Sequence, residues 1–180
     1  MIQNGRETRV RARDHLFVQG DRNTHIYLVK SGMLKAYYVR ADGRQHIKSF
    51  LPEGSIIGSM VALVDHDPCT FNLVAIENGS VIALPFGRLK EEAGRDIGLA
   101  NILVDFLSAY GKRKERREYE LLSLSPDERY SVLLETMPDV ADRITQADLA
   151  AYIGVTPQAL SRIKRRIRTP ATFEANWCRS

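Results

Sequence analysis

Cysteine and long apolar runs are scarce in these 180 residues, and each shortage excludes a class of protein. The two cysteines, Cys69 and Cys178, lie far apart and outside any C-x-x-C spacing. A four-cysteine iron–sulfur cluster held within one chain is thereby excluded, and a reducing cytoplasm is the expected compartment. No apolar stretch approaches the roughly 20 residues that span a bilayer, and the opening MIQNGRETRVRAR lacks the apolar centre of a signal peptide. The four histidines, His15, His25, His46 and His66, form no H-x-H pair and no dense cluster. Neither a metal nor another cofactor is expected. A cupin-like metal enzyme, which would need clustered histidines and a carboxylate, is the weaker of the readings that a barrel-like chain allows.

What is present suits a soluble protein with one large and one small domain, because 44% hydrophobic content over this length allows a real core. The net charge of +4 is modest. Its placement says more, since the cationic excess gathers in the first thirteen residues and the last quarter of the chain.

Between about His15 and Leu84, short apolar stretches alternate with Gly20, Gly32, Gly43 and Gly54 at intervals of eleven or twelve residues. This spacing predicts short antiparallel strands joined by tight turns, with Asp42-Gly43 as the strongest hairpin signal. Phe71–Ile76 and Val81–Leu84 add further strands, and the total suits a sandwich or jelly roll of about eight. The scattered histidines on these strands or turns, with Tyr27, Tyr37 and Tyr38, read as ordinary sheet residues.

Proline is absent from Ile97 to Leu124, where Leu99, Leu103, Phe106 and Tyr110 recur at steps of four and three. The spacing predicts a helix of some 28 residues, about 42 Å long, carrying a coiled-coil-like seam. Such a helix is too long to be only a lid on a small sheet. These four residues are therefore the candidate interface of a homodimer, and the charged continuation KRKERREYELL would project beyond a sheet core. Ser125-Pro126-Asp127-Glu128 caps a further helix that Pro138 ends. The expected division is an α+β chain: an antiparallel β jelly roll over 1–95, a dimerisation helix over 96–124, and a small helical domain over 125–180.

That small domain carries the most specific pattern. In TQADLAAYIGVTPQALSRIKRRI, Thr145 can cap a helix with Asp148 three residues on, Gly154 can close it in the left-handed conformation, and Thr156-Pro157 can open a second helix. Leu149, Ile153, Val155, Leu160, Ile163 and Ile167 fit one buried seam, with small Ala150 where the helices cross. Gln158, Ser161, Arg162 and Arg165 fall at i, i+3, i+4 and i+7 on the opposite stripe. From Gln158 to Arg168 there are five cations and no acid. This is the make-up of a helix-turn-helix whose second helix enters the major groove of duplex DNA, with Gln suited to adenine, Arg to guanine, and the other cations to phosphates. The candidate DNA-contacting set is Thr156, Gln158, Ser161, Arg162, Lys164, Arg165 and Arg168.

Glycine-punctuated strands, a long helix and a terminal helix-turn-helix together resemble the Crp/Fnr family of bacterial transcription regulators. The resemblance covers roughly residues 14–168 and rests chiefly on HLFVQGDRNTHIYLVKSGMLKAYYV, HIKSFLPEGSIIGS, LSLSPDERYSVLLE and ITQADLAAYIGVTPQALSRIKRRI. It implies a cyclic-nucleotide-binding-like sensor, a homodimer, a DNA partner and RNA polymerase as a further partner. It also implies a form without the β-wing that usually follows the recognition helix. By position, the family's base-reading residues fall on Pro157, Gln158 and Arg162, of which proline has no side-chain donor to offer. In the tail, Phe173 and Trp177 at i, i+4 are expected to pack against the small domain.

The resemblance also marks where this chain departs. Members that bind cAMP hold its ribose with a Gly-Glu pair and its phosphate with an Arg-Ser or Arg-Thr pair. The matching positions here are Gly58-Ser59, before Met60, and Cys69-Thr70. A missing arginine removes a charge-assisted contact worth about 1.5–3 kcal/mol, and Asp65 and Asp67 would repel a phosphate. The effector pocket is therefore expected to be degenerate toward cAMP. His66 and Cys69 between those acids read as a solvated loop rather than a metal or haem site. A cyclic-nucleotide-binding module without DNA contact is the remaining alternative.

Overall fold

A computed structural model describes residues 5–167, which form two compact units that divide after Tyr119. The first unit begins with eight strands: β1 Arg6–Val10, β2 His15–Phe17, β3 His25–Ser31, β4 Leu34–Val39, β5 Gln45–Leu51, β6 Ile56–Ile57, β7 Asn72–Ala75 and β8 Gly79–Pro85. They pair antiparallel in two four-stranded sheets, ordered β1-β8-β3-β6 and β2-β7-β4-β5. This is the expected jelly-roll arrangement. Between the sheets lies one apolar cluster, in which Phe17, Val29, Leu34, Leu51, Phe71, Leu73 and Val81 are almost fully buried. The hairpin from β4 to β5 turns at Asp42-Gly43, where Gly43 takes a φ of 79° that costs a glycine little.

One irregularity in that hairpin matters later. Ala36 on β4 faces Ser49, but its neighbour Tyr37 faces Ile47, so Lys48 is an extra residue in the ladder. A bulge of this kind bends the strand and re-aims the surplus side chain.

The helices of this unit are α1 Met60–Val64, α2 Phe86–Ala93 and most of α3, Ile97–Ser123. A second apolar cluster joins them to the β3–β8 sheet: Ile26, Leu63, Leu84, Phe86, Leu89 and Phe106, with Met60 and Leu103 against it. Here one expectation is corrected. Phe106 and Leu103 fill this cluster and Tyr110 packs against the inter-sheet core, so these three do not form a free seam for a partner. The 4-3 spacing marks one side of α3, and periodicity gives a face but not what covers it. Leu99 is half-buried on the same side. The outward side of α3 instead exposes Ile97 (79%), Val104 (58%) and Leu107 (39%).

The second unit holds the end of α3, then α4 Pro126–Thr136, α5 Pro138–Arg143, α6 Gln146–Ile153 and α7 Pro157–Ile167. The boundary between units falls within α3, after Tyr119, a few residues before the small domain expected to start at residue 125. Ser125 caps α4 in a full capping box, its side chain accepting from the Glu128 N–H while the Glu128 carboxylate accepts from the Ser125 N–H. Hydrogen bonding to the Glu128 carboxylate from the Ser125 side chain and from the Ser125 N–H holds its pKa below the ordinary value. Pro138 ends α4 as expected, but it also starts α5, since its fixed φ suits a first helical position.

Candidate nucleic-acid interface

The turn between α6 and α7 is built as its residues dictate. Thr145 Oγ1 accepts from the Asp148 N–H at 3.1 Å, which caps α6. At its other end Gly154 sits at φ +83°, and both its N–H and that of Val155 return to the Ala150 carbonyl, at 2.9 and 3.0 Å. A side chain at that φ would be strained, so glycine is what lets the chain reverse within two residues. Thr156 Oγ1 then accepts from the Ala159 N–H at 3.2 Å, and α7 starts at Pro157.

Burial sorts the two faces of α7. Leu160 and Ile163 are buried together with Leu149, Ala150 and Ile153 of α6, and with Tyr130, Val132 and Leu133 of α4. Val155 and Ile167, expected in the same seam, are half-buried. Thr156, Gln158, Ser161, Arg162 and Arg165 are all exposed. The stripe is thus free to reach a partner, and its polar groups remain hydrated until they do.

Two cations of α7 are otherwise engaged. Lys164, expected among the DNA contacts, turns toward its own unit: its Nζ donates to Gln146 Oε1 at 2.5 Å and lies 5.9 Å from the Tyr130 ring centroid. A lysine on the flank of a helix follows the nearest acceptor and ring when no duplex is bound. Arg166 donates to both carboxylate oxygens of Asp127 at the start of α4, at 2.7 and 2.8 Å. Arg168, together with Phe173, Trp177 and Cys178, lies outside the described residues.

Sequence reasoning missed the residue that fastens these helices together. Arg129 on α4 donates Nε–H to the Ile153 carbonyl at 2.8 Å and Nη1–H to the Leu124 carbonyl at 2.6 Å. A planar guanidinium can satisfy carbonyls at the ends of two helices at once. Its only signal was a cation next to a buried tyrosine in a short helix, which does not specify a partner.

In the first unit the predicted effector positions lie in different surroundings. Gly58 and Ser59 are buried, and a Cβ at Gly58 would lie 2.7 Å from Leu63 Cδ1. Met60 packs into the cluster under α3, whereas Cys69 belongs to the core between the sheets, its N–H donating to the Asp21 carbonyl at 2.8 Å. Thr70 is exposed, as are Asp65, His66 and Asp67. Among the described residues no three His, Cys, Asp or Glu side chains come together as a metal site would require. None of their helices is long and apolar enough to cross a membrane.

The fold and the cationic helix define a sensor-type jelly roll linked to a helix-turn-helix. The family model for the cyclic nucleotide-binding domain matches residues 7–96, and one for the helix-turn-helix matches residues 142–175. The chain belongs to the cyclic nucleotide-binding domain family and, with the two modules in this order, to the Crp/Fnr regulators within it. It is 24% identical over 165 residues to the anaerobic regulatory protein of Haemophilus influenzae, covering 85% of this chain and 63% of that protein. It therefore spans less than two thirds of that curated relative's length. Among solved structures it resembles FixK2 from Bradyrhizobium japonicum, with a TM-score of 0.79 at 22% identity over 92% of this chain and 85% of that one. A transcriptional regulator of the CRP/FNR family from Thermus thermophilus gives 0.71 at 15%, over 93% and 90%. Two of these three proteins are named as regulators, and none of the three comparisons favours the cupin-like reading.

Proposed function

We propose that this protein is a dimeric, sequence-specific DNA-binding regulator of transcription, working in the cytoplasm, whose jelly roll has lost the means to hold cAMP. The observation that carries the reading is the two-sided burial of α7. Leu160 and Ile163 lock one face into the small unit, while Gln158, Ser161, Arg162 and Arg165 stand free on the other. Gln158 and Arg162 would read bases, Thr156 and Ser161 would hold the helix on the backbone, and Arg165 would neutralise phosphate. The match to the helix-turn-helix family supports this and argues against a sensor module that never meets DNA.

A two-fold DNA site needs two such helices. The outward side of α3 offers the seam for a second copy: Ile97, Val104 and Gly111 recur at seven residues, with Leu107 beside them, and open space surrounds the Gly111 position. RNA polymerase would be the further partner of a regulator built this way.

The test is selection of bound duplexes from a random pool, followed by anisotropy titrations at several salt concentrations. We expect a two-fold symmetric consensus and salt-sensitive affinity. A protein that stays a lone subunit and ignores every duplex at low ionic strength would overturn the reading.

A further inference from the structure

Between α4 and α7 the small unit leaves an open groove of about 450 Å³, lined by Tyr130, Leu134, Ser161, Lys164, Arg165 and Ile167. Part of it is apolar. Tyr130 is buried and Ile167 half-buried, while Leu134 stays 37% exposed on the same helix that buries Val132 and Leu133. The α7 wall is cationic. Lys164 is held there only by neutral groups, the Gln146 amide oxygen and the Tyr130 ring. Among the described residues neither Lys164 nor Arg165 has a carboxylate partner. An apolar strip beside two such cations suits a segment that brings aromatic rings and an acid together.

The thirteen residues after Ile167, RTPATFEANWCRS, carry two aromatic side chains, Phe173 and Trp177, and one acid between them, Glu174. They follow directly from a residue of the groove wall. From Ser161 to Ile167 that wall rises about 9 Å at 1.5 Å per residue, whereas the six residues 168–173 can span about 20 Å when extended. Doubling back along the whole groove is therefore within reach. We propose that this segment seats in the groove of its own chain, with Phe173 and Trp177 against Tyr130, Leu134 and Ile167 and the Glu174 carboxylate beside Arg165. Ser161 and Arg165 line the groove and also stand in the candidate DNA stripe. The seated segment and a duplex then compete for them, and the contact is autoinhibitory. Only this competition rests on the DNA-binding reading; the seat does not.

Trp177 is the only tryptophan of the chain, so fluorescence of the full-length protein reads the seat directly. Its emission should lie to the blue of N-acetyltryptophanamide, and acrylamide should quench it at least threefold less. Phe173→Ser, and Leu134→Glu, which sets a like charge near Glu174 at an exposed position, should each restore the quenching of a free indole. Far-UV circular dichroism should stay that of the parent. An indole as open in the parent as in the small compound overturns the seat, and so does shielding that survives both substitutions. Shielding that fades on dilution puts the segment on a second copy and overturns the assignment to its own chain. The parent measurement needs no variant to fold. Adding a duplex selected from the random pool should raise the quenching of Trp177, and Phe173→Ser should bind that duplex about three- to tenfold more tightly than the parent. Unchanged quenching and affinity would overturn the competition. If neither protein bound any duplex, the regulator reading and the competition would fail together, while the fluorescence without DNA would still decide the seat.

Discussion

The Arg166 guanidinium grips the Asp127 carboxylate through both of its oxygens, joining the last turn of α7 to the first turn of α4. An arginine so engaged is a strut within the small unit and not a free contact for DNA. Both partners are partly exposed, 63% and 38% at the side chain, so the pair contributes no more than about 1 kcal/mol. Arg166→Ala should therefore cost little stability and leave the salt dependence of duplex binding almost unchanged. Arg165→Ala should weaken all duplexes alike and reduce the salt slope by about one. Anisotropy titrations between 50 and 200 mM salt distinguish the two, and equal slopes for both variants would refute the distinction.

Arg162 and Gln158 are predicted to read bases. Replacing Arg162 with alanine should cost about 1–3 kcal/mol on the preferred operator and relax the choice of base at one position per half-site. Repeating the pool selection with the variant gives the answer, which would count against the assignment if the consensus returned unaltered.

The two sides of α3 should respond differently to substitution. Phe106→Ala, in the cluster with Leu63, Leu84 and Phe86, should destabilise the folded chain by about 3–5 kcal/mol. Val104→Glu with Leu107→Glu, both exposed, should leave the unfolding curve of the subunit nearly intact and abolish the dimer. Light scattering after size exclusion reports the mass, and a persistent dimer in the glutamate variant would place the interface elsewhere.

Calorimetry with cAMP should show no binding in the micromolar range. At the two positions where the resemblance implies charged anchors, buried Ser59 has no carboxylate for the ribose and buried Cys69 no cation for the phosphate. Micromolar heat of binding would contradict this.

Lys48 also predicts a pH dependence of stability. Its folded pKa of about 8 lies below the ordinary lysine value of 10.5, so between those values the unfolded chain binds more protons than the folded one. Stability contributed by this residue therefore rises with pH across that window and is lost as pH falls below about 8. Lys48→Met should flatten the rise and stabilise the protein at pH 7 by about 1–2 kcal/mol. Chemical denaturation of parent and variant from pH 7 to 10.5 isolates the term, and parallel curves would exclude it.

The helix-turn-helix was legible because its signals are local: Thr145, Gly154, Thr156 and Pro157 each act within four residues of themselves. Strand number and the Asp42-Gly43 hairpin were legible for the same reason. What escaped was set by tertiary context. Leu103, Phe106 and Tyr110 mark a buried side of α3, but only the folded chain shows that their own sheets cover it. Lys164 and Arg166 looked like two more cations on a basic helix until Gln146 and Asp127, 18 and 39 residues away, were seen to hold them. Lys48 stands among the mixed polar and apolar residues of β5, QHIKSFL, and the bulge that redirects it leaves no mark in composition.

Because Lys48 is surplus to the pairing of β4 with β5, its loss would let Ser49 and Ile47 follow one another opposite Ala36 and Tyr37 in an unbroken ladder. A single-codon deletion could remove the cation without shifting any partnered residue of the hairpin. Charge at this corner of the hairpin then changes by length as well as by substitution, and alignments that force a gap here conceal the very position that differs.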